Sequence, residues 1–231
     1  MKQITFKDSN IKSRLNMLID EQREFEKKLP HSRKKSRGVF LTESFQILDS
    51  IISNLISDDN LTAKKIIEPS CGTGIFLIYL LFGLHKRGIT PKLIRNFFSE
   101  NVYFCDIDAN MVSSTERNIS NLYYELFNDH IDFAFNSYNC DFTGDLISSK
   151  SSSPLKKLIG VFDYVIGNPP FIALYGRHDK KVSEAQRIYY LKHFTQFPRN
   201  MENGKLNLSM MFIENSFHLL KPGGCLSFVL D

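Results

Sequence analysis

Cysteine is scarce in this sequence: its 231 residues include only four, and none of them stand in a Cys-x-x-Cys pair. Cysteines spaced so far apart favour neither disulfides nor a metal site, and we interpret them as the reduced thiols of a cytoplasmic protein. The six histidines also lack ligand spacing, so no metal is expected. A signal peptide and an apolar run of membrane-spanning length are absent as well, which agrees with that location.

The composition indicates one domain with a substantial core, since 42% of the residues are hydrophobic and 13% aromatic. The net charge of +4 is mildly basic, and the excess is concentrated in the clusters Arg33–Arg37 and Arg177–Lys181. Such clusters are compatible with phosphate contacts and equally with solvated loops of scattered charge.

A strand, a glycine turn and the start of a helix are predicted over Lys64–Leu77. The turn lacks the third glycine of a dinucleotide fingerprint and the Lys-Ser/Thr pair of a phosphate loop, so it supports neither a dinucleotide site nor a phosphate loop. Gly72 and Gly74 allow the backbone to approach a ligand closely. Glu68, at the strand tip, suits a ligand that carries an ammonium group.

Acids also follow the next two predicted strands. Asp106 follows the strand Asn101–Cys105, about 30 residues after the glycines, where α/β proteins often bind ribose hydroxyls. Capping of the helix predicted over Ala109–Phe127 is the alternative for Asp106 and for its neighbour Asp108. The strand Ile131–Cys140 is followed by Asp141 and Phe142, an acid and a ring that suit the amino group and the face of an adenine.

The segment Asp163–Phe171 ends a fourth strand with Asn-Pro-Pro-Phe. Pro169 and Pro170 remove two N–H donors, so the neighbouring carbonyls are left to accept from a ligand. Asn168 adds a side-chain acceptor, and Phe171 offers a face on which a nucleobase can stack. Because ligands bind at the carboxyl ends of the strands in open α/β sheets, all four strand ends are expected to converge on one crevice.

Together these motifs resemble the S-adenosylmethionine-dependent adenine-specific DNA methyltransferases of restriction–modification systems. Upstream, Arg37-Gly-Val-Phe-Leu-Thr42 is similar to the N-terminal cofactor motif of the subgroup whose target-recognition domain is C-terminal, although Glu43 replaces the usual proline. The resemblance implies a Rossmann-like class I methyltransferase fold, α/β, with a mostly parallel sheet and helices on both faces. It also implies S-adenosyl-L-methionine as the cofactor and double-stranded DNA as the partner.

The resemblance further implies a role for each matched residue. Those expected to bind the cofactor are Thr42, Glu68, Gly72, Gly74, Asp106, Ile107, Asp141 and Phe142, with Ile107 and Phe142 against the adenine ring and Asp141 on its amino group. Those expected at the substrate are Asn168, Pro169, Pro170 and Phe171, where Asn168 and the Pro169 carbonyl accept from the 6-amino group of a flipped adenine. No covalent nucleophile is implied.

Residues 1–36 are expected to form a helical extension with an amphipathic helix over 11–29, and residues 37–231 the catalytic domain. A long segment between Phe171 and Leu208 is expected to be a lid or binding element. A helix over Met210–Leu220, a stop at Lys221–Gly224 and a strand over Cys225–Leu230 complete only about five strands. The expectation is therefore a shortened chain, a split enzyme, or a chain that meets a second polypeptide carrying target recognition.

Other functions remain open on these residues. Asn-Pro-Pro followed by an aromatic ring also serves enzymes that methylate a release-factor glutamine or an amino group of ribosomal RNA. A non-catalytic module that binds cofactor or DNA within a larger assembly is a further alternative.

Overall fold

The computed structural model describes residues 45–144, 146, 151–172, 184–194 and 207–230, with five positions between 13 and 24. Those five positions are helical and exposed, in agreement with the helix expected over 11–29. Thr42 and the clusters Arg33–Arg37 and Arg177–Lys181 lie outside the described residues, as does the boundary expected at residue 36.

Helices and strands alternate along the described chain. Their order is α1 (Phe45–Ile56), β1 (Ile66–Pro69), α2 (Ile75–Lys86), α3 (Pro91–Glu100), β2 (Val102–Asp106), α4 (Ala109–Phe127), β3 (Asn136–Asn139), β4 (Phe162–Gly167), α5 (Glu184–His193), α6 (Leu208–Leu219) and β5 (Leu220–Phe228), with short 3-10 helices at Leu61–Ala63 and Pro154–Leu158.

The five strands form one parallel sheet in the order β3-β2-β1-β4-β5. Strand order therefore reverses between β1 and β4, and the crevice of an open α/β sheet lies at such a switch point. The predicted α/β architecture with about five strands is confirmed.

Two apolar cores cover the two faces of this sheet. On one face, α1, α2 and α4 pack against β1 and β2, and ten consecutive residues of α2, Ile75–Leu84, are buried. A Cβ on Gly83 would overlap the side chain of Ile56, so glycine lets α1 approach α2 closely. On the other face, α6 packs against Ile67 and Phe162 through Phe212 and Leu219. Helices thus lie on both faces, as parallel sheets require.

No helix among the described residues has both the length and the apolarity needed to span a bilayer.

Strand β3 is shorter than predicted, because strand formation was expected from Ile131 and begins only at Asn136. The alternating Ile131, Phe133 and Phe135 do pack against the core. They have no strand to pair with, however, because β2 begins at Val102 and its pairing with β3 starts at Tyr103 and Asn136.

The predicted stop at Lys221–Gly224 lies inside β5 rather than before it. Strand β4 pairs first with Leu220, through Phe162, and then with Cys225, through Tyr164, so the intervening residues form an irregularity. Gly223, with φ of 80°, supplies the left-handed conformation there.

Helix α3 was not anticipated, although its signals are present. The side chain of Thr90 accepts from the backbone N–H of Leu93, and Pro91 occupies the first turn. A threonine cap followed by proline is a typical helix start.

Candidate cofactor and substrate site

The ends of β1 and β4 lie side by side at the switch point. Ile67 pairs with Val165 in the register of the two strands, which brings the end of β4 beside Glu68 and Pro69. At Gly167 an added Cβ would lie 3.4 Å from both Glu68 Cγ and the Pro69 carbonyl oxygen. The acid of the first strand and the Asn168 motif therefore share one edge of the sheet.

The turn after β1 has an unusual backbone. Ser70, Gly72 and Gly74 all have positive φ, of 61°, 56° and 82°. Gly74 caps α2 at its N-terminus, and an added Cβ there would lie 2.7 Å from Thr115 Cγ2 on α4. Glycine is thus required at position 74 both for conformation and for space.

Replacing Gly74 with alanine should destabilise the protein more than the same change at Gly88. Both glycines have similar φ, 82° and 76°, but nothing lies within 4 Å of a Cβ added to Gly88. Gly88→Ala should cost about 1–2 kcal/mol from the left-handed backbone alone. Gly74→Ala should cost about 1–3 kcal/mol more, because Thr115 is stiff and must give way. Denaturant unfolding of both variants measures the difference, and equal losses would contradict the close packing.

Helix α4 holds this glycine turn through two side chains that the sequence motifs did not reveal. Thr115 Oγ1 donates to the Gly72 carbonyl at 2.9 Å, and Asn118 Nδ2 donates to the Thr73 carbonyl at 3.1 Å. Both side chains are buried. Their signal was two polar residues on the otherwise apolar face of α4, where helical spacing places them toward the core.

Asp106 connects the glycine turn to the turn after β2. Its Oδ2 accepts from the Gly72 N–H at 3.0 Å, and its Oδ1 accepts from the Asp108 N–H at 2.9 Å. Asp108 is the N-cap of α4, since its Oδ1 accepts from the Asn110 N–H at 3.0 Å. The capping alternative is confirmed for Asp108, whereas the ribose contact of Asp106 stays a prediction.

Glu68 is a buried acid with unused bonding capacity. The residue is 1% exposed, and Oε2 has no hydrogen-bond partner among the described residues. Burial raises the pKa of Glu68 well above its usual value, and the nearby carboxylate of Asp106 raises it further. A carboxyl group in this setting favours either a proton or a cationic ligand such as an ammonium.

The cysteine of the glycine turn is not an activated nucleophile. Burial raises the pKa of the Cys71 thiol, and the carboxylates of Asp106 and Glu68 add to the rise. A thiol held neutral in this way is a poor nucleophile. All four cysteines are free, and no group of three or more His, Cys, Asp or Glu among the described residues could hold a metal ion.

The turn after β3 carries Asp141 and Phe142. Oδ1 of the exposed Asp141 accepts from the backbone N–H and the hydroxyl of Thr143, at 2.8 and 2.7 Å, while Oδ2 has no partner among the described residues. Phe142 is 3% exposed and packs on Phe212 at 4.9 Å between ring centroids. Its ring thus belongs to the core, and a contact with a cofactor stays a prediction. Ile107 is 59% exposed beside the end of β2.

The Asn-Pro-Pro-Phe segment is held at both ends by the elements that follow it. The Gly167 carbonyl accepts from Val229 N at 3.0 Å, and the Ile172 carbonyl accepts from Leu208 N at 2.9 Å. Between them Pro169 and Pro170 are buried, while Asn168 and Phe171 are half-buried. The Oδ1 atom of Asn168 is itself buried.

The structure thus brings Glu68 and the Asn168 motif together, and it links Asp106 directly to the glycine turn. Asp141 follows β3, two strands from β1, so it lies farther along the same edge of the sheet.

More than half of the chain, including strands β2 to β5, which end at this edge of the sheet, matches a known protein family. Residues 100–231 match the model of the family described as Eco57I restriction-modification methylase. The chain belongs to this family. The matched residues include Asp106, Asp141 and Asn168, whereas the glycine turn lies upstream of the match.

Individual relatives are more distant. The Type II methyltransferase M.BstVI of Geobacillus stearothermophilus is 23% identical over 189 residues, covering 79% of this chain and 31% of that protein. The DrdV–DNA complex, solved by cryo-electron microscopy, has a TM-score of 0.69 at 18% identity, covering 96% of this chain and 23% of that one. The Type IIL restriction-modification enzyme MmeI, in complex with DNA, has a TM-score of 0.60 at 13% identity, covering 87% and 31%.

These matches confirm the predicted restriction–modification methyltransferase family and its fold. A methylase family is also consistent with the predicted S-adenosylmethionine cofactor. This chain spans only 23% to 31% of the length of the three relatives.

Proposed function

We propose that this protein transfers a methyl group from S-adenosylmethionine to the 6-amino group of an adenine flipped out of double-stranded DNA. The observation that carries the proposal is the position of Glu68. A buried acid, one of whose oxygens has no hydrogen-bond partner in the described part of the chain, lies directly beside the end of β4, from which the Asn168 motif begins. One site then suits a cationic ligand and, next to it, a planar amine.

The residues present suit the cofactor. Glu68 would accept from its methionine ammonium, and Asp106 would hold the ribose while keeping the Gly72 N–H in place. The Oδ2 atom of Asp141, which has no partner among the described residues, would accept from the amino group of the cofactor adenine, with the exposed Ile107 against that ring. When bound, the cofactor supplies a methyl group on a sulfonium sulfur. Thr42, Gly74 and Phe142 keep the roles implied by the resemblance.

The Asn168 motif would prepare the substrate amine. The lone pair of an aromatic amine is delocalised into the ring, so the nitrogen is a weak nucleophile. Acceptors at Asn168 and the Pro169 carbonyl would bind its hydrogens, favour a pyramidal nitrogen and free the lone pair. Phe171 would stack on the base, and the burial of Pro170 keeps the segment fixed. Positioning and electrostatics would thus supply the rate.

Family membership favours DNA over the other candidate substrates. A base within a duplex cannot reach a half-buried acceptor, so the adenine must leave the stack, at a cost of a few kcal/mol. Stacking on Phe171 would offset part of that cost. Target recognition by a second polypeptide or by further sequence, and a cytoplasmic location, remain predictions from the sequence.

Methyl transfer from a labelled cofactor tests the substrate. The protein is incubated in parallel with duplex DNA, ribosomal RNA and a release factor, and the modified DNA is digested to nucleosides. Label should appear in DNA as 6-methyladenine, because the two oxygen acceptors suit an exocyclic amine and family membership favours DNA as its source. Label in RNA or protein would favour an alternative substrate. Cofactor binding without transfer to any of them would favour a non-catalytic module.

A further inference from the structure

The turn that carries Asp141, residues 141–144, is held from outside by an asparagine of α6. Nδ2 of Asn215 donates to the carbonyl oxygens of Phe142, at 2.6 Å, and of Gly144, at 3.1 Å. Asn215 is 3% exposed, so both hydrogens of its amide are used inside the protein. One planar amide therefore fixes two carbonyls on either side of Thr143.

Within the turn, a chain of hydroxyl groups leads to Asp141. The Thr143 hydroxyl donates to Asp141 Oδ1 at 2.7 Å, and the Tyr190 hydroxyl oxygen of α5 lies 3.4 Å from the Thr143 oxygen. Since the Thr143 hydrogen is committed to Asp141, Tyr190 is the donor in that second pair. Burial raises the pKa of Tyr190, which keeps its hydroxyl protonated.

Helix α5 is itself fixed in place by packing. Tyr190 and Phe194 form a small apolar cluster with Met211 of α6, and all three are buried. Contacts from α5 and α6 thus converge on the one turn, and they differ from those that hold the glycine turn, which come from α4.

We propose that Asn215 is a positioning residue that fixes the direction in which Asp141 presents Oδ2, with Tyr190 supporting the same turn through Thr143. The inference rests on the proposed function, in which Asp141 accepts from the 6-amino group of the cofactor adenine. Helix α6 then controls the recognition of the cofactor adenine, whereas other residues bind the methionine end of the cofactor.

Two ligands distinguish recognition of the cofactor's 6-amino group from binding of the rest of the cofactor. S-adenosylhomocysteine carries the 6-amino group, and S-inosylhomocysteine carries an oxo group in its place. The wild-type protein should prefer the first by about 10-fold to 100-fold, the range for one hydrogen bond to a charged group. Calorimetric titration of both ligands gives the preference as a ratio of dissociation constants.

Asn215→Leu, which has a similar volume and no donors, should reduce this preference to about threefold or less, because the unpinned turn no longer aims the carboxylate. Its affinity for the inosine ligand should stay within about twofold of wild type. Asn118→Leu is the matched control, since Asn118 is also buried and also holds a backbone carbonyl, that of Thr73 in the glycine turn. Asn118→Leu should lower the affinity for both ligands by the same factor and leave the preference unchanged.

Thr143→Val provides a second variant if Asn215→Leu does not fold. It removes the hydroxyl that donates to Asp141 and nearly keeps the shape of the side chain, so it should lower the same preference. If Asn215→Leu folds and its preference for the adenine ligand is unchanged, the inference is overturned while the proposed function stands. If Asn215→Leu does not fold, an unchanged preference in Thr143→Val has the same consequence. An equal loss of affinity for both ligands in Asn215→Leu would also overturn the inference, because it would give Asn215 a merely structural role.

The wild-type protein tests the underlying proposal separately. If it binds neither ligand, the proposed function fails, and the inference fails with it. If it binds both equally well, Asp141 does not read the adenine amino group, and the inference is overturned while methyl transfer stands.

Discussion

Replacing Asn168 with alanine should lower the single-turnover rate of methyl transfer by about 100-fold to 1,000-fold. A loss of this size is typical when one preorganised transition-state contact is removed. The side-chain oxygen is lost, so nothing beside the Pro169 carbonyl remains to draw the amine hydrogens away from the ring. Cofactor affinity should stay within about threefold of wild type, because Glu68, Asp106 and Asp141 are untouched.

Two further variants sharpen this result. Asn168→Asp keeps an acceptor oxygen while losing the amide donor, so its rate should lie between those of the wild type and the alanine variant. Asn96→Ala removes an exposed asparagine of α3 and should change neither rate nor affinity. A rate for Asn168→Ala close to that of the wild type would remove Asn168 from the proposed chemistry.

Replacing Glu68 with glutamine should make the cofactor-free protein more stable at alkaline pH and weaken its binding of S-adenosylmethionine. The pKa of Glu68 is raised in the folded protein, so the folded state binds more protons than the unfolded chain above the usual carboxyl value. The contribution of Glu68 is therefore fully present below that value and is lost as the pH rises through the raised pKa. Glutamine cannot ionise, and the variant escapes this loss.

Thermal unfolding between about pH 5 and pH 9 should show the two proteins diverging as the pH rises, with the variant the more stable. Cofactor affinity should fall by about 10-fold to 100-fold in Glu68→Gln, because a hydrogen bond between charged groups is lost. Glu125→Gln, on the exposed side of α4, should alter neither quantity. Parallel pH profiles would show that Glu68 is not held protonated, and an unchanged affinity would place the ammonium elsewhere.

The helices were predicted unevenly, since α4 was expected in full and α3 was not expected at all. Helix α4 runs over Ala109–Phe127 as expected, because Asp108 caps it and its apolar residues repeat at helical spacing. Strand lengths were predicted less well, since they depend on partners. The alternation of Ile131, Phe133 and Phe135 reads as strand, yet no neighbouring strand extends far enough to pair with it.

The contacts that hold the site in place could not be read from local patterns, although the polar residues that make them could be picked out on α4. The carbonyl that accepts from Thr115 lies 43 residues away in the sequence, and the carbonyl that accepts from Asn118 lies 45 residues away. The separation is 73 residues for Asn215 and the Phe142 carbonyl. Contacts over such separations exist only after the chain has closed into a sheet with helices on both faces. Phe142 is similar, because its burial against Phe212 depends on where α6 packs.

By itself the sequence determined the chemical groups and their strand ends: acids at the ends of three strands, an amide and two prolines after a fourth, and glycines where the backbone has positive φ. Such features are local, because a residue type and its immediate neighbours are enough to state them. Only the tertiary structure decided that β1 and β4 are neighbours, that Glu68 is buried with one oxygen lacking a partner among the residues the structure describes, and that α4, α5 and α6 hold the turns. Burial and partner choice depend on distant segments, so they follow from the packing of the whole chain rather than from any part of it.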